Sequence, residues 1–263
     1  MLIVPVIIPF YRERQKLDRC LAAVAAQTAA GCEAFVRDNT HDNILFTAAV
    51  NEGLLRYCWR EHVRYAVVLN QDAYMDADCV QRLAAFMDAN PGCGIAAAVQ
   101  HGQPGNTITW AGSHEALPYG VHATQLDAHA PFETYWANGA CMMIRTQAVR
   151  ECGVFDRNMR FIYSDVDFSF TLRSRGWSVH VVPAASCEHT QGASISASAE
   201  IEMVKCRDTL YFMRKWLTGG VYRALSREGM AVSDEEVRRW VAHFEREAQA
   251  IGKRSDGASG GPL

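Results

Sequence analysis

Val67-Val68-Leu69-Asn70-Gln71-Asp72 is a short apolar run that ends in two amides and a carboxylate. Across residues 65–69 the chain is continuously apolar and β-branched in the middle, without a helical period, as in a strand buried on both faces. The polar triplet then lies at the strand's carboxyl end, where open α/β sheets bind ligands. A carboxylate there can hold a divalent cation, and the cation can hold a diphosphate. Taken alone, the triplet could equally turn the chain before a helix, so the flanking sequence has to decide.

Upstream, residues 2–8 read as a buried strand closed by Pro9. Leu17, Cys20, Leu21, Val24 and Ala25 have helical spacing within residues 12–28. Residues 33–37 read as a second strand, followed by the polar cluster 38–43 and a helix over 44–59 that Gly53 interrupts. Downstream, Asp76 is expected to cap a helix through Asp88, stopped by Asn90-Pro91-Gly92, and residues 95–99 form a fourth strand. This β-α-β-α-β-α-β rhythm implies a parallel sheet with right-handed crossovers.

The pattern changes at His101. Residues 101–133 are rich in Gly, Pro and His, as in hairpins and loops over a site. A strand over 139–144, a short helix over 146–151, a helix over 165–175 and a strand over 178–182 follow. Ser164, three residues before Asp167, reads as the cap of the 165–175 helix. Residues 189–198 form a small-residue loop, and residues 200–217 an amphipathic helix. The capping box Ser233…Glu236 opens another helix, with Val237, Trp240, Val241, Phe244 and Ala248 on its apolar face. Residues 252–263 read as a disordered tail. The expected class is one α/β domain over 1–217, with a mainly parallel central sheet flanked by helices, divided into halves 1–100 and 101–199. A helical appendage over 218–251 completes it.

Of the 263 residues 49% are hydrophobic and 21% charged, ordinary for a globular protein with a substantial core, and the net charge of −3 argues against a nucleic-acid binder. The nine cysteines are scattered without CxxC spacing, which suits reduced thiols in a cytoplasmic protein better than a disulfide framework or a zinc ribbon. The amino terminus lacks the marks of a signal peptide, and no apolar run is long enough to cross a bilayer. The basic face of the 200–217 helix is compatible with docking on a membrane surface.

Polar clusters recur at strand ends in a telling order. They are Pro9-Phe10-Tyr11-Arg12-Glu13, Arg37-Asp38-Asn39, Asn43-Ile44-Leu45-Phe46…Asn51-Glu52-Gly53 and Leu69-Asn70-Gln71-Asp72. They continue with Trp136-Ala137-Asn138-Gly139-Ala140, Gly153-Val154-Phe155-Asp156, Ser164-Asp165-Val166-Asp167-Phe168, Gly176-Trp177, His189 and Tyr211-Phe212…Lys215. The series resembles family 2 glycosyltransferases of GT-A fold, rhamnosyltransferase-like members in particular, over roughly residues 3–216.

The resemblance implies a metal-assisted, inverting single displacement. A hexose or deoxyhexose would move from a UDP-, dTDP- or GDP-linked donor to a hydroxyl on a saccharide or lipid-linked acceptor, in polysaccharide biosynthesis. It implies Asp72 and His189 as ligands of Mn²⁺ or Mg²⁺, and Asp165 as the general base. On the donor side it implies Pro9, Tyr11, Glu13, Asp38, Asn43, Asn51, Asn70 and Gln71, with Arg207 as the phosphate contact. Trp136, Asn138 and Gly139 would face the acceptor. Two positions depart from the family: Gln71 stands where relatives carry Pro, and Ser164 where they carry Glu. The loop between Asp38 and Asn43 is also short. A sugar nucleotidyltransferase is disfavoured, because no Gly-rich basic loop follows the first strand. A non-catalytic nucleotide-sugar-binding relative stays open, motivated by Asn70 and Ser164.

Overall fold

In the computed structural model, which describes residues 3–103, 107–114, 116, 120–126, 128–189, 198–217 and 233–258, the run Tyr65–Leu69 is a strand buried at every position (β3). Strands β1 (Val4–Phe10) and β2 (Cys32–Asp38) lie parallel on one side of it, with β1 paired to both. Helices α1 (Arg14–Ala25), α2 (Leu45–Tyr57) and α3 (Cys79–Ala89) supply the crossovers. Gly53 sits inside α2 because a Cβ there would come within 2.6 Å of the Ile7 side chain, so the bare backbone lets α2 lie directly on β1.

The remaining strands are β4 (Ala73–Met75), β5 (Cys93–Gly102), the short β6 (Thr107–Trp110), β7 (Ser113–His114), β8 (Val121–His122) and β9 (Phe132–Glu133), then β10 (Cys141–Arg145) and β11 (Ser178–His189). The main path through the sheet is β2-β1-β3-β10-β5-β11-β4. The central sheet is mainly parallel, as expected, with β10 wedged antiparallel between β3 and β5. Side chains alternate across the sheet. Val67, Leu69, Ala96, Ala98, Cys141 and Met143 face α1 and α3, while Ala66, Val68, Ile95, Ala97, Met142 and Ile144 face α2 and the helices that follow.

Those helices are α4 (Thr146–Cys152), α5 (Ser164–Ser174), α6 (Ala199–Trp216) and α7 (Asp234–Ala258). The capping box forms as read: Ser233 Oγ accepts from the Glu236 N–H at 3.2 Å, and Glu236 Oε2 accepts from the Ser233 N–H at 3.2 Å. The expected tail is corrected, because α7 passes Gly252 and runs to Ala258, anchored by the buried Ile251. Residues 190–197, most of the expected small-residue loop, fall outside the described residues, as do 218–232 and 259–263.

Three further corrections bear on the site. Asp76 does not cap α3; it follows β4 and donates its N–H to the Ser186 carbonyl at 3.1 Å, while Asp78 holds the N-cap position of α3. His189 is not in a loop but is the last residue of β11, paired with Ala73. A register shift between Val182 and Ser186 lets β11 continue alongside β5 beyond the expected end. The capping role read for Ser164 also fails. Tyr163 occupies the N-cap position without a side-chain cap bond, and Ser164 is buried inside α5. Asp167 is instead committed to packing, accepting from Trp216 Nε1 at 2.6 Å and pairing with Lys215 Nζ at 2.8 Å.

The helical end is joined to the site by a buried carboxylate. Asp208 on α6 accepts three consecutive backbone N–H groups, from Arg160 at 3.0 Å, Phe161 at 2.7 Å and Ile162 at 3.0 Å. This grip fixes the loop entering α5. Asp208→Ala would strand three donors, each costing about 1–3 kcal/mol when buried unpaired. With partial rehydration the expected loss is about 2–4 kcal/mol, read as a lowered urea midpoint with unchanged slope. A midpoint equal to wild type would show that the loop does not depend on Asp208.

Candidate functional site

A cavity of about 850 Å³ opens at the carboxyl ends of β1 and β3, the position the strand–loop reading singled out. Pro9, Tyr11, Asn39, Asp72 and His189 line it, together with Asp165 where α5 begins. The amino end of α6 closes it through Ser198, Glu200, Ile201 and Val204. The positive-φ non-glycine residues among those described are Arg12, Leu45 and Tyr163, with φ of 61°, 67° and 59°. Leu45 and Tyr163 line the cavity and Arg12 adjoins Tyr11, which does. Each such residue costs about 1–2 kcal/mol, and strain concentrated at one cavity rim points to function.

Asp72 and His189 are buried and face each other, with His189 Nε2 3.6 Å from Asp72 Oδ1. That separation is too long for a hydrogen bond. At metal–ligand distances of about 2.0–2.2 Å, neighbouring donors lie roughly 2.8–3.1 Å apart at octahedral angles and 3.3–3.6 Å at tetrahedral ones, so the pair stands at the wide end of the range for two ligands of one cation. The described residues hold no group of three or more His, Cys, Asp or Glu arranged for a metal. A small divalent cation here would therefore draw its other oxygens from water and substrate, as Mg²⁺ commonly does. Around the pair, Arg19 reaches from α1 to Glu188, beside His189, through two bonds of 2.8 and 2.6 Å, and lies 3.8 Å over the Tyr74 ring. Four elements thus converge behind Asp72 and His189.

Asp165, in the first turn of α5, also lines the cavity. Its Oδ2 accepts from the Gly139 N–H at 2.8 Å and its Oδ1 from the Val166 N–H at 2.9 Å. Burial nevertheless pushes its pKa up, against those bonds. Gly139 must stay bare here, because a Cβ would crowd both Phe46 and the Asp165 carboxylate at 3.2–3.3 Å. Trp136 and Asn138 also line the wall, and Asn138 Oδ1 accepts from the Ala140 N–H at 2.9 Å, shaping the turn that presents Gly139.

Other residues that the sequence singles out take different places. Gln71 lines the cavity, but its amide clasps the Tyr11 backbone: Oε1 accepts from the Tyr11 N–H at 2.6 Å and Nε2 donates to the Tyr11 carbonyl at 3.2 Å. Glu13 stands outside the wall, in a 2.8 Å ion pair with Lys16. Asn43 lines the cavity while its Oδ1 accepts from the Leu45 N–H at 3.0 Å, holding that residue in its left-handed turn. Asn70 lines it as well. Asn51 is corrected to a structural role: it is buried, and its amide bonds the Phe155 carbonyl at 2.9 Å and N–H at 3.0 Å, away from the wall. Asp38 is exposed and outside the wall, its carboxyl held below the usual range by the Thr40 hydroxyl and N–H. The adjoining Asn39 lines the cavity instead. Arg207 is exposed and also outside the wall.

Two lining residues had no motif to announce them. Arg160 is the one Lys or Arg among the described residues of the wall. His122 packs against Trp136 with ring centroids 5.2 Å apart and ring planes inclined at 58°, in the His-rich stretch read as loops over a site. Burial pushes its imidazole pKa down, with the Asp165 charge opposing and His189 adding to the shift.

Comparison with known proteins adds three findings. Residues 65–252 match the family described as Glycosyl transferase family group 2. The fold is similar to that of GalNAc-T7, crystallised with UDP, GalNAc and Mn²⁺, at a TM-score of 0.63 and 12% identity, covering 95% of this chain and 55% of that one. It is also similar to S. aureus TarS, at a TM-score of 0.53 and 15% identity, covering 90% and 47%. The chain thus spans about half the length of these solved structures. No curated protein matches it. Identities this low speak to the fold, which is GT-A.

Proposed function

The chain belongs to glycosyl transferase family group 2, and from that premise we propose that it is a metal-assisted, inverting glycosyltransferase using a nucleotide diphosphate sugar. The observation that carries this reading is one cavity lined by the half-buried carboxylate of Asp165 and by the Asp72–His189 pair. GalNAc-T7, with the same fold, was crystallised with UDP and Mn²⁺, which supports a similar donor and cation here.

In this reading Asp165 accepts the proton of the acceptor hydroxyl as that oxygen forms its bond to the anomeric carbon. The anomeric C–O bond to the diphosphate breaks on the opposite side, and the nucleoside diphosphate leaves with the electron pair. The Gly139 and Val166 N–H groups hold the carboxylate in one orientation, so no reorganisation precedes proton transfer. Mn²⁺ or Mg²⁺ between Asp72 and His189 would offset the charge that develops on the leaving diphosphate. Arg160, held by Asp208, is the side-chain cation best placed to meet anionic substrate oxygens, in preference to Arg207. Trp136 and His122 offer a ring surface and a polar edge for a sugar.

A panel of UDP-, dTDP- and GDP-sugars, incubated with Mn²⁺ or Mg²⁺ and no acceptor, is the direct test. One donor should release its nucleoside diphosphate slowly, with release stopped by EDTA. If no donor is hydrolysed and calorimetry detects no nucleoside diphosphate binding with metal, the reading is wrong.

A further inference from the structure

Gln100 lies on β5, in register with Trp110 on β6 and Cys187 on β11, and its side chain is wholly buried. Its Oε1 is 3.0 Å from His189 Nδ1, while its Nε2 has no hydrogen-bond partner among the described residues. A half-satisfied buried amide is costly at the end of the apolar run Ile95-Ala96-Ala97-Ala98-Val99 of β5. Packing therefore gives no reason for it. We propose that Gln100 is a positioning residue that fixes the tautomer of His189, so that the Nε2 lone pair faces Asp72 and the cation the two would share. The inference rests on the reading of Asp72 and His189 as a metal pair.

A neutral imidazole has one donor and one acceptor nitrogen. The amide oxygen of Gln100 can only accept, so Nδ1 carries the hydrogen and Nε2 is left bare. The alternative would turn the amide over, place Gln100 Nε2–H on Nδ1 and move the imidazole hydrogen to Nε2. That hydrogen would then point at Asp72 Oδ1 from 3.6 Å, beyond hydrogen-bond reach. The observed pairing satisfies one good hydrogen bond and leaves on Nε2 the lone pair that a metal needs. Metal-bound histidines generally depend on such a partner at the second nitrogen, for tautomer and for ring orientation. Gln100 serves this role from a different strand, so β5 sets a feature of the site that neither β3 nor β11 controls.

The test uses the full chain, with ¹⁵N-labelled histidine and no metal. Long-range ¹H–¹⁵N spectra, with the His189 signals assigned by comparison with His189→Gln, should show His189 protonated at Nδ1. Gln100→Met, which removes the acceptor, should lose that preference, and Gln100→Glu should keep it. Titration with Mn²⁺ alone, read by the free-ion electron paramagnetic resonance signal, should show Gln100→Met binding roughly ten- to a hundredfold more weakly. Gln100→Glu should stay near wild type. The proposal is overturned if wild-type His189 is protonated at Nε2, or if Gln100→Met keeps both tautomer and Mn²⁺ affinity. Should wild type bind no Mn²⁺, the metal reading itself fails. The metal-free spectra identify that failure as distinct from an error about Gln100.

Discussion

Replacing Asp165 by Asn should lower glycosyl transfer between about a hundredfold and ten-thousandfold, the usual contribution of a general base, while nucleoside diphosphate affinity stays within a factor of about three. The asymmetry follows from geometry. Asp165 is on α5, a different element from those that carry the Asp72–His189 pair, and its bonds run to the Gly139 and Val166 backbone. Asn keeps one acceptor for those two N–H groups, turns its NH2 towards the other, and loses the proton-accepting capacity. Retained nucleotide binding therefore reports an intact fold. A pH profile adds a second readout. Burial raises the Asp165 pKa, and the active form is the carboxylate, so activity is present above that raised value and lost as pH falls through it. The acid limb of kcat/KM should accordingly lie above the ordinary aspartate range. A variant retaining a tenth or more of wild-type turnover would remove Asp165 from the base role.

How much of this is legible from sequence depends on whether local pattern and tertiary partner agree. Residues 65–69 read correctly because a strand buried on both faces leaves a signature that needs no partner. Cys141–Arg145 also reads as a strand, but nothing local says that it will insert antiparallel between β3 and β5. Ser164 shows the opposite failure. Its spacing to Asp167 is that of a cap, yet Asp167 is claimed by Lys215 and Trp216, nearly fifty residues away, and Tyr163 takes the cap position.

The amides divide in the same way. Asn51 and Gln71 sit in motif-like settings, and their chemistry suits a ligand equally well. Asn51 is nonetheless used on the Phe155 backbone and Gln71 on the Tyr11 backbone, partners invisible from sequence spacing. Gln100 follows an apolar run and belongs to no motif, although a lone amide at the end of Ile95-Ala96-Ala97-Ala98-Val99 is itself a signal of something buried and polar. The three strained residues Arg12, Leu45 and Tyr163 carry no sequence mark at all, since none is glycine or asparagine. What places them at one rim is the cavity, held open by distant contacts such as that of Asp208 with the loop before α5.

Asp72→Ala should abolish Mn²⁺ binding and lower metal-supported turnover by a factor of roughly 10²–10³, corresponding to about 3–4 kcal/mol of lost charge stabilisation on the leaving diphosphate. The residue facing Asp72 across 3.6 Å is His189, an imidazole and not a second carboxylate that could take over its charge. The stronger statement concerns additivity. If the cation acts through Asp72, chelation of wild type and substitution of Asp72 remove the same interaction. EDTA-treated wild type, Asp72→Ala, and EDTA-treated Asp72→Ala should then share one residual rate. Two independent losses would instead multiply, and the doubly perturbed sample would fall a further hundredfold or more. Asp72→Asn separates charge from shape at the same position: it should resemble Asp72→Ala in Mn²⁺ binding while keeping the place beside His189 filled. An Asp72→Ala protein that still responds to Mn²⁺ as wild type does would relocate the cation away from β3. The carboxyl end of Val67-Val68-Leu69-Asn70-Gln71-Asp72 would then be a wall of the cavity and not its charged centre.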